Sequence, residues 1–341
     1  MFIIRSVTSN DLNDVYELSK LVLFINLPPD KEIVQNKIKN SIQTFRKPFK
    51  DLHKNYYIFV LEDLETGNVI GVSLIHARHG TDSEPHFFLR VGQEHKFSST
   101  INTGFIHGTL KLGYDIEGPS EIGGIVINHA YRGNPEKLGK QLSFIRFLYM
   151  GLYPERFSPV IHTELMPPLD KEGKSPLWEA VGRKFLNMDY HEADILSRSN
   201  KEFILNLFPS DNIYVNLLPV EARDSIGRVG PDTQGVKKML EGVGFKYINE
   251  VDPFDGGPHY RCPLKEISSV KNMQHGRVEL GAKYLEDQND KVLIQIPSKN
   301  HDFLATSADI NFKNGVISLP QNLIQELKLD KDFETSFIYL D

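Results

Sequence analysis

The chain has 341 residues, 40% of them hydrophobic and 25% charged, and its formal net charge of −6 argues against a nucleic-acid-binding surface. This length can bury a sizeable core and predicts about two domains, while no apolar run approaches the ~20 residues of a membrane span and the N-terminus turns polar too soon for a signal peptide. The single cysteine, Cys262, excludes an internal disulfide, favours the cytoplasm and is interpreted as a small buried side chain rather than a nucleophile.

The chain opens with a strand, a helix and a hairpin. Residues 2–5 predict a short strand, and the helix after it has one apolar face. That face consists of Leu12, Val15, Leu18 and Val22. Two apolar runs, 56–62 and 69–75, are separated by a turn that contains Gly67, so they predict a β-hairpin.

The most informative segment, residues 120–150, reads as a strand, a basic turn that contains glycine, and a helix. In the predicted strand, 122–128, the pair Gly123-Gly124 leaves room for a bulge or for close approach of a ligand. The helix begins after Pro135 and carries one apolar stripe, Leu138, Leu142, Ile145 and Tyr149. Since N–H groups at a helix start attract anions, the segment predicts either a pyrophosphate site or an ordinary structural turn.

The turn differs from the common phosphate loops because it has neither G-x-x-x-x-G-K-[ST] nor G-x-G-x-x-G. It resembles the acetyl-CoA-binding turn of the GNAT acyltransferases, R/Q-x-x-G-x-G/A, although RGNPEKLGK is longer and contains a proline. The resemblance implies that the end of the strand and the turn bind the CoA thioester through Ile125, Val126, Ile127, Arg132, Gly133, Gly139 and Lys140. It also implies that a backbone N–H in 125–127 stabilises the oxyanion of the reaction.

The C-terminal part completes a predicted α+β fold. Residues 235–245 predict a helix ended by glycine, and a strand at 247–251 follows it, as in the last helix and strand of a GNAT domain. We therefore expect one GNAT-like acyltransferase domain at 1–268 with a long insertion at about 152–230, which we interpret as a lid over the acceptor. Short runs of branched residues predict a small β-rich module at 272–341, whose default role is packing or oligomer formation.

Several longer motifs are irregular enough to identify a family. They are FVLEDLETGNVIG from Phe59, LRVG from Leu89, SPLWEAVGRKFLNMDYHEADILS from Ser175, IYVNLLPVEARDSIGRV from Ile213 and VDPFDGGP from Val251. Together they resemble the arginine N-succinyltransferases, one family within the GNAT superfamily, over about residues 1–268. The resemblance implies transfer of a succinyl group from succinyl-CoA, as co-substrate, to the α-amino group of arginine in arginine catabolism, with no permanently bound cofactor.

Three departures from the family pattern fall where the family carries out its chemistry. Its G-Q-V-H-P-x-T motif, whose histidine is assigned to proton transfer, corresponds to 227–233, where Gly230 replaces the histidine. Its A-E-M-R-G keeps the carboxylate as Glu164 and replaces the arginine with Met166. Its G-L-T-S-L-P corresponds to FINLP at 24–28.

Two hypotheses stay open: an active N-acyltransferase for arginine or a related amine, and an acyl-CoA-binding relative with an altered substrate or little catalytic activity.

Candidates for the missing catalytic group lie around Glu164. This residue follows an apolar run that predicts a strand, so it can bind the acceptor ammonium or act as base, and a surface carboxylate is the alternative. His162 lies two residues earlier on the same face and is the second catalytic candidate. For substrate binding, Arg90 in LRVG can meet a carboxylate bidentately or form a structural ion pair, and Asn26 is the polar candidate in FINLP.

The remaining histidines supply no metal motif. His76, His79, His86 and His259 show no H-E-x-x-H spacing, and the single cysteine allows no C-x-x-C, so the sequence predicts no metal site. His86 and His259 lie beside matched motifs, and we interpret them as hydrogen-bonded within the fold or solvated.

The expected partners are a small amine or amino acid and an acyl-CoA, with no nucleic acid and no membrane, and assembly into a homo-oligomer is left open.

Overall fold

The computed structural model describes residues 1–21, 27–197, 200–286 and 289–340 of the chain. The chain divides into two compact units. The first consists of Met1–Arg78, Ser120–Pro159 and Pro263–Asp341, and the second of His79–Pro119 and Val160–Cys262. Both units combine strands and helices, so the mixed α/β class predicted from the sequence is confirmed. Within the described ranges, no helix is both long and apolar enough to cross a bilayer.

Strands outnumber helices in the described part of the chain. In chain order the strands are β1 Phe2–Ser6, β2 Tyr56–Asp63, β3 Asn68–His76, β4 His86–Ser98, β5 Thr103–Asp115, β6 Ser120–Ile127, β7 Val160–Glu164, β8 Ile213–Tyr214, β9 Lys246–Val251, β10 Pro258–Pro263, β11 Gln274–Val278, β12 Asp290–Gln295, β13 Leu304–Lys313, β14 Val316–Ser318 and β15 Phe333–Tyr339. The helices are α1 Leu12–Ser19, α2 Lys31–Arg46, α3 Leu138–Leu152, α4 Pro176–Ala180, α5 Gly182–Leu186, α6 Tyr190–Ser197, α7 Glu202–Leu207, α8 Val220–Ser225, α9 Gln234–Gly242, α10 Ser268–Lys271 and α11 Gln321–Glu326.

The first unit is built on a sheet with the strand order β12-β15-β11-β14-β13-β1-β2-β3-β6, in which β12 also pairs with β13. The predicted N-terminal strand and hairpin are confirmed, since β1 pairs antiparallel with β2 and β2 with β3. Strand β13 pairs with the other edge of β1, with Ile4 opposite Ala305. The first and the last segments of the chain therefore share one sheet.

Helices α1 and α2 bury apolar faces in the first unit. Asp30 caps α2, because its side chain accepts the N–H groups of Glu32 and Ile33 at 2.9 and 3.0 Å. The apolar cluster that these helices form with the sheet includes Val15, Leu18, Val34, Ile38, Ile58, Val60 and Val72. Each such side chain contributes about 1.5–3 kcal/mol on burial. The predicted face of α1 is thus confirmed up to Leu18, and Val22 lies outside the described residues.

Strand β6 contains the bulge that its paired glycines predicted. The register against β3 shifts between Val72 and Leu74, and Gly124 has a φ of 57°. A Cβ on Gly124 would lie 2.8 Å from Leu74 Cδ2, so the left-handed backbone and the close packing both require glycine. The strand ends in the predicted CoA-binding residues Ile125, Val126 and Ile127.

The segment after residue 262 belongs to the first unit. Its strands β11 to β15 lie in the range for which the sequence predicted a β-rich segment. Their apolar core includes Ile3 of β1 together with Val278, Val292, Ile310 and Phe337. The two units therefore have boundaries that differ from the predicted 1–268 and 272–341. An independently folding module at 272–341 stays a prediction.

The second unit has the strand order β7-β10-β9-β4-β5-β8 and carries helices α4 to α9. Its core contains Trp178, whose ring stacks on Phe254 with centroids 4.9 Å apart and an interplanar angle of 5°. The helix predicted at 235–245 and the strand predicted at 247–251 are observed as α9 and β9. Strands β4, β7 and β10 supply the polar side chains of the candidate site in this unit.

Candidate functional site

The turn between β6 and α3 is shaped by its own asparagine side chains. Asn128 Oδ1 accepts the N–H of Ala130 at 3.0 Å, and Asn134 Oδ1 accepts the N–H of Glu136 at 2.9 Å. Such local side-chain bonds hold a loop in one shape without help from distant residues. Gly133 has a φ of 76°, and a Cβ added to it would meet no atom within 4 Å. The backbone of this glycine is therefore open to a ligand.

Helix α3 begins after the turn and packs on the end of β6. A Cβ added to Gly139 would lie 3.7 Å from Ile127 Cδ1, so the helix start and the strand end are in contact. Arg132 is exposed, and Lys140 Nζ lies 5.2 Å from the centre of the Phe144 ring. The 15-residue helix directs the positive end of its dipole toward the turn. The predicted CoA-binding residues thus occupy one strand–turn–helix junction, and their contact with CoA stays a prediction.

A cluster of buried histidines surrounds one carboxylate oxygen in the second unit. Glu164 Oε1 lies 3.4 Å from His162 Nε2. The same oxygen lies 3.6 Å from His259 Nε2 and 3.8 Å from His86 Nδ1. The histidine side chains are at most 2% exposed, whereas Glu164 is 29% exposed. Glu164 is therefore the member of this cluster that a molecule from solvent can reach.

Three strands bring these side chains together. His162 and Glu164 lie two residues apart on β7 and share a face, as predicted. His259 lies on β10, the neighbour of β7, and His86 begins β4. Burial, reinforced by the nearby histidines and Lys201, holds the pKa of His86 well below its ordinary value. His86 is therefore a neutral imidazole near pH 7.

Arg261, which no motif marks in the sequence, links the cluster to two further carboxylates. Its Nε–H donates to Nδ1 of His162 at 3.3 Å. Its Nη2 lies 3.0 Å from Asp115 Oδ2 and 3.3 Å from Glu250 Oε2. An arginine that donates to Nδ1 places the proton of a neutral His162 on Nε2, toward the carboxylate of the cluster. The only sequence signal for Arg261 was strand periodicity, because it follows His259 by two residues on β10.

Arg90 forms the ion pair that was the alternative to substrate binding. Its Nη2 lies 3.4 Å from Glu250 Oε1, and its guanidinium lies 5.5 Å from the centre of the Phe88 ring. The side chain is 68% exposed, so it remains accessible to a ligand carboxylate, and its role in substrate binding stays a prediction. Asn26, the other predicted substrate-binding residue, lies outside the described residues, together with the rest of 22–26.

The loop in which the family motif carries its histidine approaches the segment after Glu164. The N–H of Gly230 donates to the carbonyl oxygen of Met166 at 2.8 Å. The hydroxyl of Thr233 donates to the same oxygen at 3.0 Å. A Cβ on Gly230 would lie 2.8 Å from the carbonyl oxygen of Pro167, closer than side chains normally allow. The position of the missing histidine therefore lies next to the end of β7.

Comparison with known proteins identifies the family. The family model described as arginine N-succinyltransferase beta subunit matches residues 2–269. The arginine N-succinyltransferases of Shigella dysenteriae serotype 1 (strain Sd197) and Escherichia coli O6:K15:H31 (strain 536 / UPEC) are each 32% identical to this chain over 274 residues, which cover 80% of this chain and 78% of theirs. The structure of arginine/ornithine succinyltransferase subunit AI from Pseudomonas aeruginosa matches with a TM-score of 0.85 and 27% identity, over 100% of this chain and 99% of that chain. The chain therefore belongs to the arginine N-succinyltransferase family and has its GNAT-like acyltransferase fold.

Proposed function

We propose that this chain transfers the succinyl group of succinyl-CoA to the α-amino group of arginine, a reaction of arginine catabolism. The observation that carries the proposal is the match to the arginine N-succinyltransferase family over residues 2–269. The matched range contains both the β6–α3 turn and the cluster around Glu164. An acyl-CoA-binding relative with little activity is not favoured, since curated relatives that are 32% identical over 80% of the chain are named for the transfer reaction.

The proposed donor site is the β6–α3 turn. The open backbone of Gly133, the exposed Arg132 and the start of the 15-residue helix α3 combine N–H donors with positive charge. This combination suits the pyrophosphate of CoA, whose charge it would complement. A backbone N–H in 125–127, next to the bulge at Gly124, is the proposed donor to the oxyanion that forms on the thioester carbonyl.

The proposed acceptor site is the exposed side of Glu164. Arginine carries two cationic groups, the α-ammonium and the guanidinium, and a partly exposed carboxylate can pair with either. The buried histidines behind Glu164 hold its Oε1 within 3.4–3.8 Å of their nitrogens, which limits the positions of the carboxylate. His162 is the second candidate for proton transfer, because its Nε2 lies 3.4 Å from that oxygen.

The reaction does not require a strong base at the position of Gly230. The amine nitrogen must lose a proton and attack the thioester carbonyl, the C–S bond then breaks, and the CoA sulfur leaves as a thiol after it gains a proton. A free α-amino group has a pKa of about 8, so a weak base such as Glu164 or a water molecule suffices to accept its proton. Positioning of the amine against the thioester can supply several kcal/mol of the rate enhancement.

Release of free thiol from succinyl-CoA tests the proposed function. The purified protein is mixed with succinyl-CoA and one amine at a time from a panel that contains arginine, ornithine, lysine and agmatine. We expect thiol release with arginine and formation of N-succinylarginine, and agmatine, which lacks the carboxylate, serves as a control for recognition of that group. No thiol release with any α-amino acid would contradict the proposal.

A cytoplasmic location and assembly into a homo-oligomer are proposed as well. The location is supported by the single cysteine, Cys262, which is buried and not in a disulfide. Assembly is supported by apolar side chains near the end of the β4–β5 hairpin, where Phe97 is 70% and Ile101 is 65% exposed. Sedimentation of the protein and of a Phe97→Ser variant measures the assembly, and a monomer in both cases would contradict it.

A further inference from the structure

We propose that the second unit binds a divalent transition metal ion, with zinc as the best fit, through four side chains: His86, His162, Glu164 and His259. Spacing along the chain did not indicate this site, because the ligands come from the separate strands β4, β7 and β10. The ion is neither the acyl donor nor the acceptor of the transfer reaction. The inference does not depend on the proposed function.

The separations from Glu164 to the three histidines are close to those of a tetrahedral metal site. Zinc holds imidazole nitrogens at about 2.0–2.1 Å and carboxylate oxygens at about 2.0–2.2 Å, so neighbouring ligand atoms of a tetrahedron lie about 3.4 Å apart. Here Glu164 Oε1 lies 3.4, 3.6 and 3.8 Å from the three imidazole nitrogens. The four ligand atoms all lie within 4.8 Å of one another. The widest separation exceeds the tetrahedral one by up to about 1.4 Å, so side-chain movements of up to about 1 Å would bring the four atoms to zinc distances.

The chemistry of the ligands selects the class of ion. Imidazole nitrogens with one carboxylate suit zinc and its first-row neighbours, whereas magnesium and calcium take oxygen ligands almost exclusively. The histidine side chains are at most 2% exposed, so the protein around them limits their movement. Four protein ligands leave no open coordination position, which is the arrangement of a structural site.

Metal binding competes with Arg261. Its Nε–H donates to Nδ1 of His162 at 3.3 Å, which leaves the proton of the neutral ring on Nε2. A metal ion on Nε2 needs that proton on Nδ1, so binding breaks the hydrogen bond and moves the proton across the ring without net release. Arg261 keeps its ion pairs with Asp115 and Glu250. The loss of one hydrogen bond to a cationic donor weakens binding relative to a site without the arginine.

A bound ion also affects the transfer reaction, if Glu164 binds the acceptor as proposed. The ion occupies Oε1 of Glu164, so the metal-loaded protein transfers the acyl group more slowly than the metal-free protein. Metal binding is measured without substrates, so failure of the metal site and failure of the proposed function give different results.

Titration of the chelator-treated, full-length protein with Co²⁺ tests the site. Co²⁺ replaces zinc in such sites, and its visible absorption is stronger in a tetrahedral field than in an octahedral one. We expect stoichiometric Co²⁺ binding, a tetrahedral spectrum, displacement by Zn²⁺ and a higher melting temperature with Zn²⁺. The lack of a saturable site, or a weak octahedral spectrum, would overturn the proposal without any variant.

Three histidine variants locate the ion. His259→Ala removes a ligand, and His95→Ala is the matched control because His95 is exposed on β4. We expect about a tenfold or greater loss of Co²⁺ affinity in the first variant and none in the second. His259→Cys keeps a ligand and adds a thiolate-to-cobalt absorption band, so it reports on the site even if the alanine variant does not fold. Wild-type affinity in folded His259→Ala, or no thiolate band in folded His259→Cys, would overturn the proposal.

Arg261→Gln tests the competition that the geometry implies. The variant removes the donor to His162 Nδ1, so we expect severalfold tighter Co²⁺ binding than in the wild type. Circular dichroism confirms that the variant is folded. Unchanged or weaker binding would exclude His162 as a ligand and overturn the four-residue site.

Discussion

The N–H of Gly230 donates a hydrogen bond of 2.8 Å to the carbonyl oxygen of Met166. These are two of the positions at which we expect the chain to depart from the family pattern, which the resemblance gives as a histidine at the first and an arginine at the second. The two departures are therefore neighbours in space. The contact leaves no room for a side chain without movement of the backbone, because a Cβ on Gly230 would lie 2.8 Å from the carbonyl oxygen of Pro167.

Restoring the histidine at Gly230 should change the pH dependence of the reaction. Gly230→His introduces an imidazole beside the segment after Glu164, and Gly230→Ala is the control that introduces the Cβ alone. Both variants should lose about 1–3 kcal/mol of stability from the close contact with Pro167. We expect faster succinyl transfer to arginine in the histidine variant than in the alanine variant, with a transition near pH 6.5. Identical rates and pH profiles in the two folded variants would mean that the imidazole does not reach the substrates.

Charge reversal at Arg132 should weaken binding of CoA. The exposed guanidinium lies in the β6–α3 turn, where it would attract the pyrophosphate. Calorimetric titration with CoA should show at least a severalfold loss of affinity in Arg132→Glu, and the loss should shrink as salt is added. Arg223→Glu, an exposed arginine on α8, is the matched control. Unchanged affinity in Arg132→Glu would remove this turn from the CoA site.

Removal of the charge on Glu164 should lower kcat/KM for arginine and leave the affinity for CoA unchanged. A hydrogen bond to a charged group contributes about 1.5–3 kcal/mol, so Glu164→Gln should lower kcat/KM for arginine by about tenfold or more. The assay uses chelator-treated protein, so that a metal ion does not contribute to the difference. Glu172→Gln is the control, because Glu172 is an exposed carboxylate that pairs with Lys174. Wild-type kinetics in Glu164→Gln would show that the carboxylate does not meet the acceptor.

The buried ion pair between Arg5 and Asp11 should make the first unit sensitive to acid. The guanidinium donates to both carboxylate oxygens at 2.8 and 2.9 Å. Burial alone would raise the pKa of Asp11, but Arg5 and the hydrogen bonds from Thr8 outweigh it and hold that pKa below its ordinary value. The stability from this group is therefore present above about pH 4 and is lost as the pH falls through the lower pKa of the folded state.

Urea unfolding as a function of pH measures this contribution. Asp11→Asn should lose about 1.5–3 kcal/mol at pH 7, because the buried guanidinium loses one of its two carboxylate partners and keeps the other, Glu62. As the pH falls below 5, the free energy of unfolding of Asp11→Asn should decrease less than that of the wild type. Glu17→Gln, an exposed residue that pairs with Lys20, should change the stability by about 1 kcal/mol or less. Equal acid sensitivity in wild type and Asp11→Asn would contradict the assignment.

Deletion of 272–341 should destabilise the first unit rather than release a separate module. The deletion removes β13 from the edge of β1 and uncovers Ile3, which is 5% exposed in the full chain. We expect the shortened chain to be poorly soluble or to unfold at a much lower temperature in circular dichroism. A cooperative transition at the temperature of the full chain would instead support an independent module at 272–341.

The sequence itself determined the local elements that carry the family resemblance. The hairpin β2–β3 and the junction from β6 to α3 depend on residues that are close in the chain. Period-two and helical spacing, together with glycine at a left-handed position, act over such short distances. The same spacing placed His162 and Glu164 on one face of β7, so half of the histidine–carboxylate cluster was predictable.

Only the tertiary structure decided which distant segments meet. His86 and His259 join Glu164 because of the order of strands in the sheet, and Arg261 reaches His162 for the same reason. Strand β13 pairs with β1 although nearly the whole chain separates them. A strand exposes the same backbone donors and acceptors to any neighbour, so local residue patterns do not determine which strand pairs with it. The choice of partner depends on burial of the whole core, which the folded chain alone resolves.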